Sequence, residues 1–294
     1  MSNEEIQKIA KLLENENPAM RQLALEQLSP HKQNHTATNM IIRTLQDKDK
    51  GVRTFAAEIL GDVDDRHALI ALTHTLEDGE WEVRNAAIES FGKHKNPETV
   101  PFLIQSLRDE HQQVRYSATK ELKHFDSPSI IEPLFEMLKD DSDSVREEAR
   151  STLLNFQVKV PASLIAKFIL DLNKNVKEVA VEFLTTRVEG NPIPHLERAL
   201  DDKDWEIRLL ALTEIGKIIK KGEIQDPKIL KIILKALDDE HSRVRFEGLS
   251  NLKELNNPST IDKLGEIARN DEDSNNRLMA TETMTFIRRS LRLE

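Results

Sequence analysis

The chain holds 294 residues, 42 of them cationic and 52 anionic, for a formal net charge of −10. That balance disfavours blanket attraction to a polyanion, because nucleic-acid binding leans on Lys and Arg neutralising phosphates. The absence of cysteine excludes disulfides, Cys-ligated zinc and thiol nucleophiles; with no basic-then-apolar leader and no run near the roughly 20 apolar residues that cross a bilayer, the chain reads as a soluble, acidic, cytoplasmic protein.

The first stretch, Asn3 to Asn15, predicts a helix with Ile6, Ile9, Ala10 and Leu13 on one face. Asn17-Pro18 follows as an N-cap with proline at the first helical position. A second helix runs from Ala19 to Leu28, and Ser29-Pro30 ends it, since the residue before a proline leaves the helical region.

From there one phrase returns. Its clearest form is Leu76-Glu-Asp78-Gly-Glu-Trp-Glu-Val83-Arg84. The cation falls at Arg53, Arg84, Arg115, Arg146, Lys177 and Arg208, a constant step, and a fixed period of this size marks a solenoid. Each unit has a first helix with a single apolar stripe, such as Leu69, Leu72 and Leu76 or Val100, Leu103 and Leu107. A polar turn then carries an aspartate: Asp47, Asp78, Asp109, Asp140, Asp171, Asp202 or Asp239.

The second helix opens on Val-Arg. Counting from that Val as position zero, position four is small (Ala24, Ala56, Ala87, Ala118, Ala149, Ala180, Ala211, Gly248) and position eight is large and apolar (Leu28 through Phe91 to Leu252). Positions zero, four and eight share one face and predict the packed side. Pro or Gly punctuates the links, as at Asn96-Pro97, Ser127-Pro128 and Asn257-Pro258.

Two places break the rhythm. Extra residues around Lys217-Ile-Ile-Lys-Lys-Gly222-Glu predict a lengthened second helix and a longer loop. The last unit puts Asn276 at the Val position, which suits a terminal cap.

The pattern Asp, Val-Arg, Ala, Leu and often Gly (Asp47, Val52-Arg53, Ala56, Leu60-Gly61; Asp78, Val83-Arg84, Ala87, Phe91-Gly92) resembles HEAT repeats, and its short period resembles those of phycobilisome lyases. The expectation is an all-α, right-handed alpha-alpha superhelix of about nine HEAT-like helix pairs, one solenoid over residues 1–294 with degenerate caps. The resemblance implies second helices on the concave side and an Asp–Arg ladder along the turns, which makes the arginine column structural. It names no single activity, because the family serves many roles.

Few constellations carry chemistry. His31 and His35 have no acidic third ligand in register and read as solvated, so no metal is expected. An iron hydroxylase resembling this repeat needs His-Glu pairs as ligands, and no His here precedes Glu. A HEAT-like DNA glycosylase needs a basic face with aromatics, whereas Trp81 and Trp205 sit at turns beside acidic residues. His111 and His241 share a column and read as exposed turn residues.

The concave face is the better site. Position six and its flanks point away from the packed stripe. The row begins acidic with Glu26, Glu58 and Glu89, passes Tyr116, Lys120 and Glu182, and ends more apolar at Leu209 and Phe246. These residues are the candidate partner-binding set. The favoured function is a non-enzymatic scaffold for a protein or peptide, with a basic partner segment on the acidic row, without cofactor or membrane and with nucleic acid disfavoured. Two alternatives stay open: an accessory subunit or lyase of the phycobilin-lyase type, and a nucleic-acid-binding HEAT-like protein. The basic end, Arg288-Arg289 with Leu291 and Arg292, reads as helix capping; with Lys217, Lys220 and Lys221 it also suggests head-to-tail self-association.

Overall fold

The computed structural model describes residues 3–290 apart from Glu223 and Gln225, so Leu291 and Arg292 of the basic end lie outside the described residues. Its regular structure is almost wholly α-helical, and the chain divides into two compact units, 1–156 and 157–294. No helix among the described residues is long and apolar enough to cross a membrane.

The first unit contains α1 (Asn3–Leu13), α2 (Pro18–Leu28), α3 (His35–Arg43), α4 (Lys50–Leu60), α5 (Arg66–Thr75), α6 (Trp81–His94), α7 (Val100–Ser106), α8 (Gln112–Leu122), α9 (Ile131–Met137) and α10 (Asp143–Leu154). Odd and even helices pair as hairpins, and the even helices lie side by side from hairpin to hairpin. The second unit repeats the plan with α11 (Ala162–Ile165), α12 (Lys174–Thr186), α13 (Ile193–Ala199), α14 (Trp205–Lys221), α15 (Lys228–Ala236), α16 (Ser242–Leu255), α17 (Ile261–Asn270) and α18 (Ser274–Ser290). A two-residue parallel bridge, Val160–Pro161 with Val188–Glu189, ties its first linkers together. In both units the even helices stand closer to one another than the odd ones do.

The predicted stripe is the core. Val52, Val83, Val114, Val145, Val176, Ile207 and Val244 are fully buried, as are the alanines at position four and the large residues at position eight. Each large side chain so buried contributes roughly 1.5–3 kcal/mol. Position four is small because the paired odd helix crosses there. A Cβ on Gly248 would meet Leu237 Cδ2 at 3.0 Å and Ala236 Cβ at 3.7 Å.

The turns carry the ladder. Arg21, Arg53, Arg84 and Arg115 each grip the aspartate of the following turn (Asp47, Asp78, Asp109, Asp140) through Nε and Nη2 at 2.6–2.9 Å. In the second unit Arg208 holds Asp239 and Arg245 holds Asp271 in the same way. Lys177 reaches Asp202 at 2.5 Å with its single ammonium. The remaining arginine nitrogen, Nη1, donates to the carbonyl of its own turn, as Arg84 does to Asp78 O at 2.9 Å. Each aspartate also accepts the N–H two residues on, as Asp109 Oδ1 does from His111 at 2.8 Å. One carboxylate thereby closes its own turn and pins the preceding repeat, which is why the pair recurs with the period. Burial alone would raise the Asp109 carboxyl, but the Arg84 guanidinium and the His111 N–H outweigh it and leave it below the usual range.

The lengthened helix predicted near Lys217 is α14, seventeen residues ending at Gly222 with φ +65°. Glycine takes that left-handed C-terminal position without a Cβ penalty. Asn276, read as an end cap, is turned inward. It is 1% exposed, and its Nδ2 donates to Ser242 O at 3.1 Å and to Asp271 Oδ1 at 3.3 Å, so this polar side chain is buried with partners in the preceding repeat and in its own turn.

Candidate partner-binding face

Positions two and six of the even helices lie on the side left uncovered by the hairpins. Glu26 on α2, Glu58 on α4 and Glu89 on α6 are all exposed, one per helix on three adjacent helices. Glu26 and Glu58 line one groove of about 450 Å³, floored by Phe55 and Thr54 and flanked by Lys50 and Glu82. Lys50 does not neutralise the row. Its ammonium is held by Glu82 at 2.7 Å and Glu80 at 3.3 Å. Glu89 accepts a hydrogen bond from Asn85 Nδ2 at 3.0 Å. Among the described residues, none of Glu26, Glu58 and Glu89 forms an ion pair, although ion pairs lie on either side of them. Partial burial pushes the Glu58 carboxyl up, and the charge of Glu89 adds to it against the pull of Lys93. The three carboxylates therefore form a row of negative charge with no direct ion pair among the described residues.

The other predicted residues fall differently. Tyr116 and Lys120 are half-buried on α8 of the same unit. Glu182, Leu209 and Phe246 belong to the second unit, with Glu182 half-buried on α12. Leu209 packs against the buried cluster of Leu212, Ala236 and Val244, beside Leu200 and Trp205. Phe246 is 39% exposed and lines a groove with Leu278 and Met279.

Two features of the even helices were not read from the sequence. Trp81 stacks on His111 with ring centres 4.1 Å apart, and Trp205 stacks on His241 at 3.8 Å. Each tryptophan begins an even helix and each histidine precedes the next one, so the stacks are equivalent links across neighbouring turns. The signal was present as two Trp and two His in matched columns. The second feature is a polar side chain at position seven, set over a glycine at position nine of the preceding even helix. Ser90 Oγ donates to Ala57 O at 2.8 Å over Gly61, and Asn251 Nδ2 donates to Leu212 O at 2.8 Å beside Gly216. Glu121 occupies the same place over Gly92 and is 8% exposed; burial pushes its carboxyl up. Ser90 and Asn251 are inter-helix fasteners, and Glu121 is buried in the equivalent place.

His31 and His35 gain no metal-like surroundings: among the described residues, no three His, Asp or Glu side chains converge. His35 Nε2 lies 3.1 Å from Asn39 Nδ2.

The family model for HEAT repeats matches residues 6–92, 71–154 and 193–285. No relative of this chain is found among curated proteins. Among solved structures, Kap121p is similar with a TM-score of 0.64 and 14% identity, over 98% of this chain and 38% of that one. Kap121p bound to Nup53p gives 0.64 and 15%, over 98% and 38%. Kap95p, solved with RanGDP, gives 0.54 and 15%, over 96% and 45%. This chain thus spans less than half the length of those proteins, and the likeness is one of fold.

Proposed function

The chain belongs to the HEAT-repeat family, and from that premise we propose that it is a non-enzymatic scaffold holding a protein or peptide partner along the concave side formed by its even helices. The partner presents a basic segment to Glu26, Glu58 and Glu89. The carrying observation is that these three carboxylates stand in line, exposed and without ion-pair partners among the described residues, beside a groove whose lysine is already engaged. A chain of Lys or Arg side chains supplies the missing positive charge and relieves the mutual repulsion of Glu58 and Glu89. The fold supports the reading, since proteins of this architecture are solved with protein partners, Kap121p with Nup53p among them.

The test is a titration with lysine-rich and arginine-rich peptides at low and physiological salt. The parent binds, and its affinity falls as salt rises. Glu58→Lys with Glu89→Lys weakens binding about tenfold or more and flattens the salt dependence. Equal affinity for parent and variant would sink the acidic-row reading.

A further inference from the structure

Seven large apolar side chains are exposed among the described residues; Leu23 lies on α2, Ile70 on α5, and Leu170 and Leu172 in the segment between α11 and α12. Phe246 (39% exposed), Leu278 (60%) and Phe286 (43%) all lie on the last two even helices, α16 and α18. The repeat itself makes Phe286 anomalous. It occupies position ten of its helix, and at that exposed position the earlier even helices carry Pro30, Asp62, Lys93, His124, Asn155, Thr186, Lys217 and Glu254, all but the first polar. A polar solvent position has become aromatic, so its exposure does not follow from missing repeat-to-repeat packing.

Two grooves join there. One, of about 490 Å³, is lined by Phe246, Leu278, Met279, Arg243, Asp273 and Glu282. The other, of about 610 Å³, is lined by Phe286, Lys253, Arg289 and again Glu282. Leu278, Glu282 and Phe286 follow each other at intervals of four on α18, so they rise along one helix face about 6 Å apart. Alternate side chains on one face of an extended strand are spaced by about 6.6 Å. The two spacings match over three residues. Among the described residues, Glu282 and Arg289 form no ion pair, and Lys253 lies over the Phe286 ring with its ammonium 5.8 Å from the centroid.

We propose that the even-helix face of α16 and α18 is a second docking site, for an extended peptide segment carrying two apolar side chains that flank a basic one. The apolar pair seats on Leu278 with Phe246 and on Phe286. The basic residue between them meets Glu282. An acidic residue beyond the Phe286 contact meets Lys253 and Arg289. The site rests on the scaffold reading of the chain but shares no residue with the acidic row of the first unit.

The experiment is fluorescence anisotropy of the full chain with a labelled peptide reading leucine, serine, lysine, serine, phenylalanine, serine, aspartate. Binding to the parent, weakened about tenfold or more by Leu278→Ser and by Phe286→Ser, supports the site. Glu282→Lys should reverse the preference toward a peptide with glutamate in place of lysine. Glu58→Lys with Glu89→Lys should leave this binding unchanged, which separates failure here from failure of the acidic row. Three outcomes overturn the proposal: no binding to the parent, equal binding to the Leu278→Ser/Phe286→Ser variant, or tighter binding of a helix-stapled peptide bearing the same side chains. The substituted positions are exposed, and unchanged circular dichroism and melting confirm that each variant is folded.

Discussion

A single rung shows how much one residue pair does here. Arg84 and Asp109 side chains are 8% and 12% exposed, so neither charge is relieved by water if the other is removed. Asp109→Ala should therefore cost about 3 kcal/mol, measured by chemical denaturation, because it strands a buried guanidinium and opens the His111 turn. The rung also sets an acid limit. The folded Asp109 carboxyl titrates below its ordinary value of 3.8, so its stabilisation is fully present above that pH and is lost as pH falls through the lower folded value. In Asp109→Ala that part of the acid-induced loss should vanish. The recurrence of Asp and Arg was legible in sequence, and the resemblance to HEAT repeats implied that they pair as rungs. Glu121 was not legible. A glutamate on a helix reads as solvated, and only the nearness of Gly92 on the neighbouring helix reveals it as buried.

At the scale of elements, the even helices are held apart by what their facing residues allow. Gly61 sits where a Cβ would stand 2.6 Å from Ser90 Oγ and 3.0 Å from Ser90 Cα. Gly→Ala within an exposed helix ordinarily stabilises by up to about 1 kcal/mol. At Gly61 the sign should reverse, with Gly61→Ala costing about 1–3 kcal/mol in thermal or chemical unfolding, because α6 must move away from α4 and the Ser90 to Ala57 bond lengthens. Stability equal to or above the parent would show that the two helices have slack between them. The lengthening of α14 needed no such context. Its extra residues are helix formers and Gly222 supplies the stop, so both were readable from local propensity.

For the whole molecule, stability is a sum over neighbouring repeats, because each hairpin packs mainly on those beside it. Ala87 is fully buried on α6 at the crossing with its partner helix. Ala87→Trp should abolish hydrogen-exchange protection in α5 and α6, reduce it in α4 and α8, and leave α2 close to the parent. Protection lost to the same degree in all five even helices of the first unit would instead mark that unit as a single cooperative block. The proposed binding belongs to this scale too, since the acidic row would engage three helices at once and the apolar grooves two.

The sequence by itself determined the period, the helix pairs, the buried stripe and the lengthened α14, and its resemblance to HEAT repeats implied the Asp–Arg ladder. Each depends on spacing within one repeat or between adjacent repeats, and a regular array preserves that spacing in the chain. The tertiary structure alone decided what each even helix shows to solvent. Leu209 and Phe246 occupy the same position in successive even helices, yet one packs on a buried cluster while the other stays open. The stacks of Trp81 on His111 and Trp205 on His241, and the seating of Ser90, Glu121 and Asn251 over glycines, were also decided there. The reason is geometric. Exposure between neighbouring helices depends on small rotations and on which side chain happens to face which across the gap, and no single repeat contains that information.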